Sequence, residues 1–453
     1  MPGKKKIAVI GGGIAGLAAA CTLVKNGFSV EVFEDKEYVG GRMRTDRSRN
    51  GYAIDTGAQF FYDVYKNTFT LCRELGISDQ LQKFERPYGI YRGGKIHRLD
   101  PAAKNPLSIV TFSALSASSK FKLLKLLPVL VRNYRRLNFH RPDLWETFDN
   151  EDAAAYTLRR FNREFLECFV QPLISGLTLS EPENISVAVM LSGLKFQLLY
   201  KLYTLKNGIG TLPEKLAQRC DVHTYTKVNR ILFDGNRAIG IELTEKVRGD
   251  SVPGSKKVLD YDAVVCAIPA GAAAAILPDA PTEITSFFKG VEYSRGVAAV
   301  FGLDNKLMND MYAVAVPREN GFAITAFSEN TNKAASLAPP GAGLVVVFPS
   351  GTAGNTMLNE ADEEIVKKIS EEIKTIVPSF PEAPVFTKVY RWDPALLLFT
   401  KGYLSRVKKF RIDIKKLQGI FFAGDYLATA SVEGSLTSGL EAAEMVKKYV
   451  VKY

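Results

Sequence analysis

A glycine-rich turn between a buried strand and a helix is the feature that most constrains the fold of this chain. An apolar, β-branched stretch covers 6–10, and a helical pattern that ends at Asn26 follows the turn. Between them, Gly11, Gly13 and Gly16 match the pattern GxGxxG. In such a turn the first glycine permits the tight bend, the second lets backbone approach a pyrophosphate, and the third lets the helix pack on the strand. The pattern predicts an α/β dinucleotide-binding unit.

The elements around the turn support nucleotide binding over an ordinary glycine-rich surface turn. The helix that opens at Ile14 and Ala15 offers unpaired N–H groups and a partial positive charge to phosphates. A second strand, 29–33, ends at Glu34, close to the spacing of about 20 residues at which a carboxylate accepts the ribose hydroxyls.

Two further motifs separate a flavin site from a nicotinamide site. Gly40-Gly41-Arg42 follows Glu34, and 55–61 reads Asp-Thr-Gly-Ala-Gln-Phe-Phe. With these motifs the chain resembles the FAD-dependent amine oxidase superfamily, which includes protoporphyrinogen oxidases, carotenoid desaturases and monoamine oxidases. The resemblance implies that the arginine contacts the pyrophosphate and that the later turn runs beside the isoalloxazine. The residues assigned to the cofactor in this way are Gly41, Arg42, Gly57, Ala58, Gln59 and Phe60.

The resemblance extends to the end of the chain. A buried strand leads into Gly424-Asp425, and a closing helix opens near Val432. The resemblance implies that Asp425 contacts the ribityl-phosphate region and that the helix N-terminus faces the flavin N1–O2 edge. A positive helix end at that edge stabilises anionic reduced flavin. The resemblance also implies that the backbone of Val228 clasps the adenine and that Trp392 stands at the flavin.

Two segments favour the protoporphyrinogen oxidase and carotenoid desaturase branch of this superfamily. The stretch 170–177, followed by 183–186, resembles a helical-domain signature of protoporphyrinogen oxidases, and 205–213 resembles their return into the FAD domain.

The implied fold is an α/β FAD-binding Rossmann-type (GR2-like) domain, with an α+β substrate domain. The substrate domain would carry a mixed sheet and a helical subdomain that is a candidate for membrane contact. The predicted boundaries are 1–85, 205–290 and 393–453 for the FAD-binding parts, 86–204 for the helical part and 291–392 for the substrate sheet.

Local patterns within these boundaries predict individual elements. The strands 226–231 and 261–269 are assigned to one sheet of the FAD-binding domain. Alternating and buried patterns predict strands at 297–303, 312–316, 321–327 and 344–348, and a helix at 363–377.

Charge is concentrated in one segment. The chain has 59 Lys and Arg against 48 Asp and Glu, and 104–141 holds eight basic residues without an acidic one. Drawn as a helix that Pro128 should kink or split, the segment has an apolar face and a basic face. The apolar face holds Leu123, Leu124, Leu126, Leu127, Leu130, Val131 and Tyr134, and the basic face holds Lys122, Lys125, Arg132 and Arg136. The pattern indicates either binding to an anionic membrane surface or a solvated cationic face over the protein's own core. Nucleic acid is disfavoured because no aromatic platform interleaves the charges.

Cysteine and histidine usage bounds the compartment and the metal chemistry. The five cysteines are dispersed and never form a CxxC pair, which favours a reducing compartment and disfavours zinc. With three histidines we expect no metal site. No apolar run approaches the roughly 20 residues of a membrane span. A strand begins directly after Lys4-Lys5-Lys6, so we expect no signal peptide and a cytoplasmic protein, either free or peripheral on a membrane.

The sequence restricts the substrate by what it lacks. In an amine oxidase an aromatic pair orients the amine at the flavin; Trp392 fits one wall, but Ser431 stands at the other. The family's lysine near flavin N5 is not evident in 294–298. No cysteine lies near Ser431, so we expect FAD to be bound non-covalently. Phe61, Tyr200 and Trp392 are candidates for lining the substrate cavity, with plain packing as the alternative.

The predicted function is FAD-dependent dehydrogenation of a large hydrophobic substrate, with a tetrapyrrole precursor first by resemblance. The alternatives are a carotenoid or isoprenoid desaturase or isomerase, an amine oxidase, and a non-catalytic membrane-associated flavoprotein. The electron acceptor would be oxygen or a quinone-type carrier. No residue is identified as a catalytic acid or base.

Overall fold

The computed structural model describes residues 4–452, apart from 50, 86, 100–111, 124 and 246–254. The strands in this part of the chain are β1 (Lys6–Ile10), β2 (Ser29–Phe33), β3 (Thr45–Asp46), β4 (Ile54–Asp55), β5 (Phe61–Tyr62), β6 (Leu81–Phe84), β7 (Tyr88–Arg92), β8 (Lys95–Leu99), β9 (Leu202–Leu205), β10 (Asp221–His223), β11 (Thr226–Asp234), β12 (Arg237–Glu245), β13 (Lys256–Asp260), β14 (Ala263–Cys266), β15 (Gly296–Leu303), β16 (Ala313–Ala315), β17 (Ile324–Glu329), β18 (Gly343–Pro349), β19 (Phe386–Trp392) and β20 (Ile420–Phe422).

The α-helices are α1 (Ile14–Lys25), α2 (Lys66–Glu74), α3 (Ala117–Leu123), α4 (Leu126–Arg132), α5 (Ala153–Arg160), α6 (Arg163–Phe165), α7 (Gln171–Thr178), α8 (Val187–Leu199), α9 (Thr211–Ala217), α10 (Ala270–Ala275), α11 (Thr282–Lys289), α12 (Gly351–Met357), α13 (Asp362–Ile376), α14 (Tyr403–Asp413) and α15 (Val432–Lys452). A π-helical turn, Leu166–Val170, joins α6 to α7. Short 3₁₀ helices lie at Gly41–Met43, Ser78–Gln80, Pro142–Phe148, Pro182–Asn184, Arg318–Asn320, Asn330–Asn332, Ala335–Leu337, Ile414–Lys416 and Asp425–Leu427.

The sheet that carries the glycine turn has five parallel strands in the order β10-β2-β1-β14-β20. Its strands come from the beginning, the middle and the end of the chain. Strand β1 lies at the centre, so its apolar residues are buried from Ile7 to Ile10. Helices α1 and α15 contact each other, so the closing helix lies against the helix of the glycine turn.

A separate antiparallel sheet, β11-β12-β13, corrects one assignment. The strands 226–231 and 261–269 were expected in one sheet, and that expectation is wrong. Strand β11 pairs with β12 in the antiparallel sheet, whereas β14 pairs with β1 and β20 in the parallel sheet. The connection through β12 and β13 turns the chain back between them.

The largest sheet has seven strands in the order β19-β15-β18-β17-β16-β7-β8. The four strands predicted between 297 and 348 are confirmed to within three residues at each end, and α13 is within one residue of its prediction. Every residue of β15 is buried, since α13 covers one face and a cluster around Ile54 covers the other. The sheet also contains β7 and β8, so the segment 86–204, described as helical, begins with a hairpin of this sheet.

The basic segment forms two short helices, so the predicted division of the amphipathic helix is confirmed, although it does not fall at Pro128. These are α3 and α4, and Pro128 lies in the first turn of α4, where proline is tolerated. The predicted apolar face is divided. Leu126 and Leu130 are buried, whereas the exposed fractions of Leu127 and Val131 are 61% and 67%. Leu124 and 104–111 lie outside the described residues. None of the helices in the described part of the chain is both long and apolar enough to cross a bilayer.

Candidate functional site

The turn between β1 and α1 has the shape that a dinucleotide requires. Gly11 has a φ of +104°, and a Cβ there would lie 2.8 Å from the carbonyl oxygen of Ala267. A Cβ on Gly16 would lie 2.0 Å from the carbonyl oxygen of Gly11, so packing excludes any side chain at either position. A Cβ on Gly13 would meet nothing within 4 Å. The space beside Gly13 is therefore open to a ligand.

The N-terminus of α1 lies at this open space. Gly13 is the N-cap and provides no side-chain hydrogen bond to the first turn. The side chains of Ile14 and Ala15 are buried, so it is their backbone that faces the turn. Uncapped N–H groups at a helix N-terminus attract phosphate through hydrogen bonds and the helix dipole.

The carboxylate of Glu34 lies beside the glycine turn. Its Oε2 accepts a hydrogen bond from the Gly12 N–H at 2.7 Å, and its Oε1 accepts one from the Lys36 N–H at 2.9 Å. Burial raises the pKa of Glu34 above its usual range, despite these two bonds. Val228 lies close by in the chain fold, since the Thr226 N–H donates to the Glu34 carbonyl oxygen at 2.9 Å. The acid that was predicted to bind the ribose and the strand predicted to clasp the adenine therefore adjoin each other.

Arg42 reaches across to the far end of the chain. The Gly40 N–H donates to the Gly12 carbonyl oxygen at 2.8 Å, and a Cβ on Gly41 would lie 3.7 Å from the Gly13 Cα, so this motif packs on the glycine turn. Arg42 Nη1 donates to Asp425 Oδ2 at 2.8 Å. Burial alone would lower the pKa of Arg42, but the Asp425 carboxylate raises it.

Asp425 is itself held in place by its neighbours. Its Oδ1 accepts a hydrogen bond from the Tyr293 hydroxyl at 3.3 Å. The preceding Gly424 N–H donates to Ser438 Oγ, in α15, at 2.8 Å. The end of β20 is thereby fixed between the arginine and the closing helix.

Only some amides of the turn at 55–60 are hydrogen-bonded to the preceding motif. The Thr56 N–H donates to the Arg44 carbonyl oxygen at 3.1 Å, and the Ala58 N–H donates to the Arg42 carbonyl oxygen at 2.9 Å. The intervening N–H groups of Gly57 and Gln59 have no partner among the residues that the structure describes. A Cβ on Gly57 would lie 2.3 Å from the Arg42 carbonyl oxygen, so the turn packs tightly on the motif before it.

These groups fit a dinucleotide that carries a flat ring system. Gly13 leaves open space at an uncapped helix N-terminus, Glu34 supplies an acid for ribose hydroxyls, and Arg42 supplies a cation for phosphate. Gly57 and Gln59 offer unpaired amide donors, which suit the polar edge of a ring.

The family model described as flavin containing amine oxidoreductase matches residues 14–447. The chain belongs to this family. The flavin-containing amine oxidoreductases are flavin-dependent oxidoreductases, so this protein is an enzyme of that kind with FAD as its cofactor.

Individual relatives have low sequence identity to this chain but align with it over nearly their whole length. The chain is 22% identical to protoporphyrinogen oxidase 2, chloroplastic/mitochondrial, of Arabidopsis thaliana, over 98% of this chain and 94% of the relative. It is 25% identical to 15-cis-phytoene desaturase of Synechococcus elongatus, over 97% of this chain and 95% of the relative. Among solved structures, cyclohexylamine oxidase from Brevibacterium oxydans aligns with a TM-score of 0.75 and 16% identity, over 99% of this chain and 100% of that one. The last likeness shows a shared fold.

The closing helix of this flavin-dependent enzyme is positioned by a residue that the sequence analysis missed. Val432 opens α15, and the adjacent Glu433 is fully buried. The Glu433 carboxylate accepts hydrogen bonds from the N–H groups of Asn67 and Thr68 at 2.8 and 2.9 Å, and from the Thr68 hydroxyl at 2.7 Å. Glu433 therefore caps α2 and holds the N-terminus of α15 beside it. The Val-Glu-Gly sequence gave no indication of its partner, which lies more than 360 residues away.

A second missed residue fixes the turn at 55–60. Lys333 and Asp55 are both fully buried, and Lys333 Nζ donates to Asp55 Oδ2 at 2.9 Å. The same ammonium donates to the carbonyl oxygen and to Oε1 of Gln59, each at 3.0 Å. The side-chain nitrogen of Gln59, Nε2, donates to the carbonyl oxygens of Asp55 and Gly57. The side chain of Gln59 is thus used inside the turn, so Gln59 can offer a ligand its backbone.

Trp392 and Ser431 occupy the two positions at which an amine oxidase would have its aromatic pair. Trp392 Nε1 donates to the Thr56 carbonyl oxygen at 2.9 Å, so the indole lies against the turn at 55–60. Ser431 Oγ accepts a hydrogen bond from the Gly434 N–H at 2.9 Å and so caps the start of α15. Trp392 is near the turn, whereas Ser431 serves the helix and presents no ring.

Strand alternation decides which aromatic side chains share a face. Phe61 is fully buried and its ring centroid lies 6.5 Å from that of Tyr65. Its neighbours Phe60 and Tyr62 contact each other, with ring centroids 5.4 Å apart, and Tyr62 lies 6.5 Å from Tyr200. Successive side chains point to opposite faces of a strand, so Tyr62 lies on the face beside Tyr200. Phe61, a candidate for lining the substrate cavity, points to the opposite face and is packed in the core.

One group of potential metal ligands lies at the edge of the parallel sheet. Among the described residues, Glu31, Asp221 and His223 place their ligand atoms within 4.8 Å of one another. Glu31 already accepts a hydrogen bond from the Tyr261 hydroxyl at 2.7 Å, and the Asp221 side chain is 68% exposed. We assign no metal to this group, whose contacts are those of a surface ion-pair cluster.

Proposed function

We propose that the enzyme removes hydride equivalents from a large, hydrophobic, conjugated or conjugable substrate, and that this substrate is a tetrapyrrole precursor of the porphyrinogen type. The observation that carries the proposal is an aromatic face that adjoins the turn at 55–60. The Tyr62 ring centroid lies 5.4 to 6.5 Å from those of Phe60, Phe196 and Tyr200. Phe60 and Tyr200 are half-buried, and Tyr62 and Phe196 are buried behind the surface. Such a face suits a flat, apolar molecule.

The side chains around this face argue against an amine. An amine oxidase needs rings that orient the nitrogen, and position 431 is a serine engaged in capping α15. Lys333, which lies beside the turn at 55–60, is fully buried, and its ammonium donates to three acceptors in that turn. It is therefore not available to a substrate. The full-length match to a protoporphyrinogen oxidase supports the tetrapyrrole, and the full-length match to a phytoene desaturase supports a polyene as the second candidate.

The proposed contribution of the protein to the reaction is positioning. FAD supplies the hydride acceptor. The free amides of Gly57 and Gln59 and the N-terminus of α15 would hold the ring edge, where negative charge develops on reduction. The aromatic face would hold the substrate and exclude water. Non-covalent binding of FAD is part of the proposal.

The test is anaerobic bleaching of the oxidised flavin absorbance with a porphyrinogen, a polyene and an amine. We expect the porphyrinogen to bleach the flavin in a single turnover. Bleaching by the polyene alone would replace the proposal with the second candidate, and bleaching by the amine alone would contradict both. Readmitting oxygen or a quinone to the bleached enzyme then identifies the electron acceptor.

A variant locates the substrate on the aromatic face. Tyr62→Ala should raise the porphyrinogen concentration needed for half-maximal bleaching, because it removes the ring between Phe60 and Tyr200. Tyr449→Ala removes a half-buried ring near the end of α15 that contacts Phe421, so it is the matched control and should leave that concentration unchanged.

We further propose that this hydrophobic substrate enters from an anionic lipid surface. The side chains of Phe121, Leu127, Val131 and Tyr134 are 69%, 61%, 67% and 51% exposed, and they stand among the basic residues of the same segment. The segment is anchored beneath, since buried Lys195 donates to the carbonyl oxygens of Tyr134 and Leu137 at 2.9 and 2.8 Å. Exposed apolar side chains beside basic ones suit a headgroup layer.

A further inference from the structure

Two cysteine thiols that the reaction does not use lie in contact. Cys21 is in α1, the helix of the glycine turn, and Cys220 lies one residue before β10. Their Sγ atoms are 3.0 Å apart. The Cys21 thiol donates to the Leu216 carbonyl oxygen at 3.1 Å, so the Cys220 thiol is the donor to Cys21 Sγ. Both side chains are partly exposed.

The other three cysteines differ from Cys21 in burial and in the direction in which their thiol pKa is shifted. Cys72, Cys168 and Cys266 are fully buried, and burial raises the pKa of each thiol to about 12. The hydrogen bond from Cys220 lowers the pKa of Cys21, with a further contribution from the Arg219 charge. The thiolate is the nucleophilic form of cysteine, so Cys21 is the reactive thiol of the chain.

We propose that Cys21 and Cys220 form a dithiol site that hydrogen peroxide oxidises to an intramolecular disulfide. The Cys21 thiolate attacks one peroxide oxygen; the S–O bond forms, the O–O bond breaks, and hydroxide takes up a proton and leaves as water. Cys220 then attacks the sulfenic sulfur; the S–S bond forms, the S–O bond breaks, and a second water leaves with the Cys220 proton. Two thiols lose two electrons and two protons, and one peroxide becomes two waters.

The disulfide would join two elements that meet at the adenosine end of the cofactor site. Cys21 lies in the helix whose N-terminus faces the phosphates. Cys220 leads into β10, where the His223 carbonyl oxygen accepts a hydrogen bond from the Glu34 N–H at 2.9 Å. Closing the bridge would therefore restrain the helix and the strand on either side of Glu34. This inference is independent of the identity of the substrate.

The test uses the full-length holoenzyme treated with a small excess of hydrogen peroxide. Remaining thiols are alkylated after denaturation, and peptides are analysed by mass spectrometry without reductant. We expect the peptides of Cys21 and Cys220 to be joined, with the loss of two hydrogens, while Cys72, Cys168 and Cys266 are alkylated. Dithiothreitol should reverse the link.

Single variants separate the two roles. Cys220→Ser should leave a sulfenic acid on Cys21 that dimedone traps, and Cys21→Ser should leave Cys220 reduced. Cys72→Ser is the matched control and should form the bridge like the unchanged protein. If Cys21 and Cys220 stay alkylatable at peroxide levels that oxidise free glutathione, or if they bridge no more often than other pairs, the site does not exist.

The restraint on the fold has its own readout. The bridged holoenzyme should melt about 5 °C higher than the reduced one, and it should release FAD more slowly on dilution. Cys220→Ser should show neither change after peroxide treatment. A bridge that forms without either shift would overturn the proposed restraint.

Discussion

Arg42 and Asp425 lie 383 residues apart in the chain and form an ion pair in which Nη1 and Oδ2 are 2.8 Å apart. The Asp425 side chain is 5% exposed, and the Tyr293 hydroxyl donates to its second oxygen. The pair joins the motif at the beginning of the chain to the motif at its end. Both residues were assigned to the cofactor, so the pair is where the separated pieces of the FAD domain meet.

Replacing Asp425 by Asn should loosen FAD while leaving the chain folded. The change keeps the shape but removes a charge-assisted hydrogen bond, worth about 1.5–3 kcal/mol, so the FAD dissociation constant should rise about tenfold or more. Flavin fluorescence during dilution measures the release. Asp413→Asn, in the exposed pair with Lys409, is the control. Full flavin occupancy of Asp425→Asn on dilution would show that this motif is a strand end only.

The affinity for FAD should depend on the protonation of Glu34. Burial raises the pKa of Glu34, so on acidification it takes up a proton at a higher pH than an exposed glutamate does. The carboxylate accepts hydrogen bonds from the ribose hydroxyls better than the protonated acid does. The affinity for FAD should therefore fall as the pH falls through that raised pKa. Glu34→Gln should bind FAD about tenfold or more weakly at neutral pH and lose this pH dependence. Parallel pH profiles for both proteins would mean that Glu34 does not contact the ribose.

Gly439 should be intolerant of a methyl group. A Cβ there would lie 2.1 Å from the Ala15 carbonyl oxygen, so Gly439→Ala must push α15 away from α1 at a cost of about 1–3 kcal/mol. The free energy of unfolding, measured in urea, should fall, and so should the ratio of flavin to protein absorbance. Gly271→Ala, at a helical position where a Cβ meets nothing within 4 Å, is the control and should be neutral or stabilising by up to about 1 kcal/mol. Equal effects of the two changes would refute the close helix contact.

Lys333→Met should be severely destabilising. It leaves the fully buried Asp55 carboxylate without its cation, which should lower the free energy of unfolding, measured in urea, by about 3–5 kcal/mol. The double variant Lys333→Met, Asp55→Asn should recover part of the loss. Lys409→Met removes a cation from an exposed pair and should cost less than about 1 kcal/mol. A Lys333→Met protein as stable as the original would mean that the pair does not hold the turn at 55–60.

The protein should bind anionic liposomes at low salt and be released in part as salt rises, because salt screens the basic residues but not the apolar contacts. Changing Lys125, Arg132 and Arg136 to Gln should reduce flotation without changing FAD content. The control removes three charges elsewhere, at Lys289, Lys367 and Lys368, and should float like the original. The double variant Leu127→Ser, Val131→Ser should weaken the part of the liposome binding that persists at high salt. If the original protein ignores anionic liposomes at low salt, the lipid proposal is wrong.

The sequence by itself determined the features that depend on neighbours along the chain. Gly16 is required by its contact with the Gly11 carbonyl oxygen, within one turn, so the spacing of these glycines predicts the turn. The strands of the large sheet and α13 follow from local hydrophobic periodicity, which one element carries alone. The family resemblance rests on such short motifs.

The tertiary structure alone decided what depends on pairs of distant residues. The local pattern made Leu126 and Leu127 equivalent, but packing against the helical core buries the first and leaves the second in solvent. Lys333 and Cys220 belong to no motif, and Glu433 lies in the C-terminal motif with no role assigned to it. Each of the three acquires its role from a partner that folding brings within a few ångströms. Tyr62 lies beside Tyr200, and Phe61 does not, because pairing of β5 with β9 sets which face each side chain takes. A sequence specifies such contacts only through the whole fold, because the free energy of each pair depends on the packing of everything between them.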